Sequence, residues 1–318
     1  MNEIAARTAE MQPALYERDG CFGAGYNRAS FFFRHGLAGN PLFELDSLVN
    51  LSRRLPAHSD FAYWSNGKVD VDDHWEKSGP QYSLQDTLLN IAGNNSLVML
   101  KHVGQDAVFG PLLQRLLATV VELCGSRMRD DVIVGRATLL IASPHRITAY
   151  HIDADTNFLL QLAGDKDLSV FDQSDHSLIT DEELERYHAG DANGAQFKEA
   201  RQQDAHHYEL GAGCGAHIPC TAPHWAQNRD KVSVALSLNY DLRSVARETR
   251  IYRLNHRLRR LGLHPTPPGV SRWRDSLKLA SETSIEAVRD LVKERPKPVN
   301  DPAWKPVQQI KAPLTPVT

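Results

Sequence analysis

His151 and Asp153 in the segment ITAYHIDADTNF, and His224 in the segment HIPCTAPHWAQN, are metal-binding residue types at a spacing that lets them converge. Side chains alternate faces along a strand, so His151 and Asp153 can point to one side while Ile152 points to the other. Two imidazoles and a carboxylate occupy one face of a metal and leave the opposite positions for substrates. That arrangement is the facial triad of non-haem Fe(II) oxygenases. In a chain with fourteen histidines a plainer reading stands beside it: His151 as a satisfied strand histidine, with Asp153 and Asp155 as turn residues making local hydrogen bonds.

The flanks bear on the choice. An apolar run over 158–162 and the turn Ala163, Gly164, Asp165 lead to Lys166 and a second run, Leu168, Ser169, Val170, Phe171. Two β-like runs joined by a short turn containing Gly predict a hairpin. Lys166 opens the return strand, where its ammonium could reach over the metal ligands. A dicarboxylate co-substrate chelating the metal at one end would need such a cation at the other, because an unpaired carboxylate in a dry pocket is costly. The alternative is a solvated turn lysine, the commoner fate of lysines. Downstream, Gly211, Gly213 and Gly215 punctuate a tight stretch, His217 to Pro219 read as a strand ending, and Pro223 precedes His224. Val232, Val234, Leu236 and Leu238 alternate with Ser233, Ala235 and Ser237, which predicts a half-buried strand ending at Asn239, Tyr240, Asp241. A histidine just before a long core strand would be held rigidly, as a ligand must be.

These segments resemble the Jumonji-C, cupin-like Fe(II)- and 2-oxoglutarate-dependent oxygenases, with motif spacing nearest that of the asparaginyl hydroxylase of hypoxia-inducible factor. Thr148, Ala149, Tyr150, His151, Ile152, Asp153, then Asn157, Phe158, Leu159 and on through Gly164 to Lys166 resemble the family's T-x-x-H-x-D…N-F…G-x-K block. Ile218, Pro219, His224 and Asn239 resemble its I-P…H…N block. The resemblance implies His151, Asp153 and His224 as iron ligands, and Lys166 with Thr148 on the distal carboxylate of 2-oxoglutarate. It places Asn157 and Asn239 as further polar residues of the co-substrate pocket, and O₂ as the oxidant. It spans residues 137–241 of 318. Thr148 lies an odd number of residues before His151, so strand parity does not put it on the same face; only the resemblance does. No tyrosine stands near 97–103, where the family has a third partner for the distal carboxylate.

The fold implied is mainly β: a double-stranded β-helix, or jelly-roll barrel, with N-terminal and C-terminal helical additions. The expected division is a helical and irregular arm over 1–95, a barrel core over 96–241 with a polar insertion at about 173–207, and a helical region with a Pro-rich tail over 242–318. Helices are expected over Glu3 to Tyr16, Leu45 to Leu55, Pro111 to Cys124 and Ser284 to Val292, and strands over Ser96 to Val103 and Val132 to Ser143. In the insertion, Thr180 followed by Glu183 reads as a capping box, on a segment that is either a lid over the site or a solvated excursion. The aromatic Tyr63 and Trp64 read as core, or as part of a substrate wall.

The implied activity is hydroxylation of a C–H bond in a peptide, protein or amino-acid side chain, with succinate and CO₂ as co-products; demethylation stays open, and the prime substrate is unidentified. A cupin metalloenzyme without 2-oxoglutarate would keep the triad but have no use for Lys166 and Thr148. A non-catalytic binding module would be expected to have lost a ligand. A net charge of −3 gives no global pull toward nucleic acid or anionic membrane. The Arg-rich run 243–260 has an apolar stripe that suits packing on the barrel or across a homodimer, and no nucleic-acid reading motif accompanies it. Four cysteines at no metal-finger spacing fit a reducing compartment. With no apolar leader and no spanning segment, the expected location is the cytoplasm.

Overall fold

The computed structural model describes residues 15–16, 19–56, 60–74 and 79–292. Its strands are β1 (Leu15–Tyr16), β2 (Phe31–His35), β3 (Ala62–Asn66), β4 (Ser96–Leu100), β5 (Val132–Ala142), β6 (Ile147–His151), β7 (Thr156–Ala163), β8 (Lys166–Val170), β9 (His206–Leu210), β10 (Cys214–Ile218), β11 (His224–Asn228) and β12 (Ser233–Leu242). The main helices are α1 (Leu45–Arg54), α2 (Gly110–Cys124), α3 (Asp181–His188), α4 (Arg243–Arg260) and α5 (Arg272–Val292). Eight strands form one sheet in the order β1-β2-β10-β7-β12-β5-β4-β3, and four form a second, β6-β11-β8-β9. All pairings are antiparallel. Two sheets between which the chain passes repeatedly make the expected jelly roll.

The central strands of the larger sheet, β7 and β12, are buried on both faces. Outward from the barrel, Phe158, Leu160, Val234, Leu236, Leu238 and Tyr240 pack in one core with Leu112, Leu113, Leu116, Leu117 and Val120 of α2. The Tyr240 hydroxyl donates to the Leu117 carbonyl at 2.9 Å. Between the sheets, Leu159, Ala216, Ile218 and Ala235 meet Leu168, Val170 and Ala226 of the smaller sheet. The alternation in β12 therefore does not mark a half-buried strand: Ser233 and Ser237 are also buried, because their face looks into the barrel.

Four further expectations are corrected. The runs around Gly164 are not a hairpin. β7 and β8 belong to different sheets, and the turn carries the chain across the barrel. Gly164 is needed there, since its φ is +70° and a Cβ would collide with the Val232 carbonyl. The arm before residue 96 supplies β1, β2 and β3 to the larger sheet; its aromatic run Phe31, Phe32, Phe33 is a strand packed through Phe31 and Phe33. Leu15 and Tyr16 are strand rather than helix, and residues 3–14 lie outside the described residues. The last helix begins at Arg272, well before Ser284, because the prolines at 265, 267 and 268 leave the following segment free to start a new helix. The tail after 292 lies outside the described residues.

The insertion carries α3. Its N-terminus is closed by the expected capping box, in which Glu183 N–H donates to Thr180 Oγ1 at 3.2 Å and Thr180 N–H donates to Glu183 Oε2 at 2.8 Å. α3 docks on α4, where Arg259 donates to both oxygens of the buried Glu185 at 2.7 and 2.9 Å. No helix among the described residues is long and apolar enough to cross a membrane. None of the four cysteines, all among the described residues, is in a disulfide.

Candidate metal and co-substrate site

His151 ends β6 and His224 opens β11, and the two stand directly opposite each other across this pair. Moving into the sheet, Ala226 stands opposite Thr148. One residue on β11, Trp225, thus spans the same length as two on β6, Ala149 and Tyr150. This bulge adds a residue and reverses the parity of β6. Thr148 and His151 consequently share the barrel face that a regular strand would deny them, and Tyr150 turns outward against Phe171 and Leu178.

Asp153 follows β6 on a short connection held at two points. Its carbonyl accepts from Thr221 N–H at 2.7 Å, and the next N–H, of Ala154, donates to the Tyr187 hydroxyl of α3 at 3.0 Å. The insertion is therefore tied to the ligand loop itself. Asp153 Oδ2 lies 3.7 Å from Nε2 of both His151 and His224, and the two imidazoles are 4.2 Å apart between centroids. His151 Nδ1–H donates to the Ala149 carbonyl at 2.8 Å and His224 Nδ1–H to the Ala222 carbonyl at 2.9 Å. A carbonyl only accepts, so each proton sits on Nδ1 and each Nε2 presents its lone pair inward, the usual way a protein orients metal-binding histidines. Burial, and then the neighbouring His151, pull His224 down to about 4, which keeps its imidazole neutral. Two imidazole nitrogens and one carboxylate converging within 4.8 Å suit a divalent transition-metal ion.

Asp155 is not part of this cluster. Its Oδ1 accepts from Asn239 Nδ2 at 3.1 Å, while Asn239 Oδ1 accepts from the Ser237 hydroxyl at 2.6 Å. Burial, and then Asp153, push the Asp155 carboxyl up to about 8.

Lys166, at the start of β8, is 6% exposed. Among the described residues no carboxylate or other acceptor pairs with its ammonium. Burial alone pulls it down to about 8. Of the two readings of Lys166, the solvated turn lysine is the one its burial contradicts. All seven residues singled out in the sequence border a single cavity of about 370 Å³. Thr148 and Lys166 lie toward the end away from the imidazoles, since Lys166 stands opposite Asn228, four residues along β11 from His224. Asn157 borders the cavity with its side-chain oxygen buried and unpartnered among the described residues.

The far wall was missed in the sequence. Leu97 and Met99 of β4, Lys101 just beyond it, and Arg136, Thr138 and Leu140 of β5 also line the cavity. Lys101 thus stands in the segment where the family has its tyrosine. The period-two pattern Leu97, Met99, Lys101 was the available signal. Arg136 is occupied by a two-pronged pair with Asp241 at 2.8 and 2.7 Å. His217, by contrast, is a core residue. Its Nδ1–H donates to the Asn157 carbonyl and its Nε2 accepts from Asn27 N–H, both at 3.0 Å, and burial holds it near 3. A second cluster, Asp167, His207 and Glu209, is taken up by Arg229, which contacts Asp167 at 2.6 Å and Glu209 at 3.0 Å.

No protein-family model matches the chain, and no curated protein matches it. Among solved structures, it is similar to YcfD from Escherichia coli, at 14% identity over 87% of this chain and 69% of that one, with a TM-score of 0.52. YcfD is described elsewhere as a ribosomal oxygenase. A structure of it with cobalt and 2-oxoglutarate aligns at 13% identity over 87% of this chain and 68% of that one, with a TM-score of 0.49. At such identity the likeness concerns the fold, and the nearness of motif spacing to the asparaginyl hydroxylase rests on the sequence alone.

Proposed function

We propose that this chain is an Fe(II)- and 2-oxoglutarate-dependent oxygenase that hydroxylates a C–H bond of a peptide, protein or amino-acid side chain. The observation that carries the reading is Lys166: a buried ammonium with no anionic partner among the described residues, in the same cavity as a His-Asp-His cluster. A dry cation calls for an anion, and a dicarboxylate reaching the metal would supply one. In this reading Nε2 of His151 and His224 and the carboxylate of Asp153 hold iron, which when bound supplies the activation of O₂. The fold shared with an oxygenase agrees with this but does not decide it.

The chain's own part is positional. The Nδ1–H bonds to Ala149 and Ala222 hold both rings in one tautomer and orientation. Lys166 and Thr148 take the distal carboxylate of 2-oxoglutarate, and Asn157 offers its unpaired oxygen to a donor beside it. Leu159, Leu168 and Ile218 line the path between, excluding water and strengthening the Lys166 pair in a low dielectric. The balance is 2-oxoglutarate, O₂ and R–H giving succinate, CO₂ and R–OH. Arg136 and Lys101 line the same cavity and would face a prime substrate held in it. Residues 96–241 form the catalytic core in this reading, and the two C-terminal helices, with exposed Leu261, Trp273 and Leu277, are a surface for a second copy that sedimentation would reveal.

The test is to supply Fe(II), 2-oxoglutarate and O₂, measure succinate, and search peptides and metabolites for a mass gain of one oxygen. Metal binding with turnover indifferent to 2-oxoglutarate would favour a cupin metalloenzyme of another kind. Absence of metal binding would leave a binding module.

A further inference from the structure

A second cavity lies where the C-terminus of α3 meets one face of α4. Arg253, His256, Arg257 and Arg260 line it. Their spacing of i, i+3, i+4 and i+7 sets all four on one helical face. The opposite use of the same Arg-rich run is structural: Arg259 pairs with Glu182 and Glu185, and Arg243 donates to the carbonyls of Asp130 and Val132.

Two of the three guanidiniums are held in place by one edge. Arg253 Nε–H donates to the His188 carbonyl at 2.9 Å, and Arg257 Nη1–H to Glu282 at 2.5 Å. Among the described residues, Glu282 is the one carboxylate lining the cavity. The remaining N–H groups of both guanidiniums, and the side chains of His256 and Arg260, have no partner among the described residues. Like charges crowded on one face are unfavourable, and the chain as a whole carries a net negative charge, so this is a local concentration. Anchored guanidiniums are ready-made forks for oxyanions, since little side-chain freedom is left to lose on binding. A tetrahedral anion with three terminal oxygens can accept from several such groups at once, which a planar carboxylate does less well.

We propose that this cavity binds the phosphate group of a small ligand. The concave setting, closed on one side by the end of α3, fits a single compact anion better than an extended strand.

The experiment titrates inorganic pyrophosphate into the full-length protein by calorimetry in chloride buffer, with thermal melting as the control for folding. Wild-type protein should bind, and Arg260→Gln and His256→Asn should each weaken binding about tenfold or more. Arg115→Gln, an exposed arginine on α2, should bind as wild type does. Equal weakening in Arg115→Gln, or unaltered binding in both cavity variants, overturns the site. A ribo-oligonucleotide that binds through Arg260 while pyrophosphate does not also overturns it, in favour of a nucleic-acid surface. Failure of 2-oxoglutarate turnover leaves the result unaffected, because the readout is binding at a separate cavity.

Discussion

Replacing Lys166 with Met should make the metal-free protein more stable and its co-substrate site weaker. Burial moves the ammonium from an ordinary 10.5 to about 8, so the folded state disfavours the charged form. At about 1.4 kcal/mol per pKa unit this corresponds to ~3 kcal/mol of destabilisation. The sign follows from a folded pKa below the unfolded one: the cost is fully present below about pH 8, shrinks as pH rises toward 10.5, and is gone above it. Met keeps the length of the side chain without the charge, so the packing of β8 between β9 and β11 should persist. In urea unfolding at pH 7 the metal-free variant should gain up to ~3 kcal/mol, with a smaller gain at pH 9.5. Its affinity for 2-oxoglutarate, read by fluorescence titration of Mn(II)-loaded protein, should fall about ten- to a hundredfold, the worth of one charge-assisted hydrogen bond. A variant that is less stable than wild type, or that binds 2-oxoglutarate equally well, would refute the reasoning.

Other outcomes follow from the same geometry. Asp153→Ala should abolish stoichiometric Mn(II) binding in dialysis and metal analysis, whereas Asp155→Ala should retain it, because Asp155 faces Asn239 instead of the imidazoles. Wild-type affinity for 2-oxoglutarate should be flat from pH 6.5 to about 7.5 and then fall, approaching tenfold per pH unit, as each bound ligand must bring a proton to Lys166; Lys166→Met should abolish that slope. Gly164→Ala should cost about 1–3 kcal/mol in denaturant unfolding, from the positive φ and the collision with Val232. Tyr187→Phe removes the acceptor of Ala154 N–H and should cost ~1 kcal/mol, with a several-fold loss of Mn(II) affinity because the loop carrying Asp153 is less firmly held.

The residues that converge on the cavity could be named from the chain because their types are chemically unusual together and their local spacing is rigid. What local spacing cannot convey is which sheet a strand joins. The runs on either side of Gly164 have the signature of a hairpin, yet the pairing that decides the matter is with β11 and β12, more than fifty residues away. In β12 the serines read as solvent-facing because a small polar residue looks alike whether it meets water or a cavity. Phe31, Phe32 and Phe33 gave little sign of being a barrel strand, since their partner β10 lies at the other end of the motif region. Lys101 escaped notice because a lysine after an apolar strand usually marks an exit to solvent.

The extra residue in β6 makes the count between Thr148 and His151 a structural quantity in its own right. Ala149 and Tyr150 stand together opposite the single Trp225, so a three-residue step here does what a two-residue step does in a regular strand. Delete one of them and the strand becomes regular, with Thr148 and His151 two residues apart and both still on the barrel face; add one and a third residue must be accommodated opposite Trp225. The two ends of the site are thereby geared to each other through the backbone, so that at 149–150 a single deletion should be tolerated better than a single insertion, a contrast that a library scanning both kinds of change would expose.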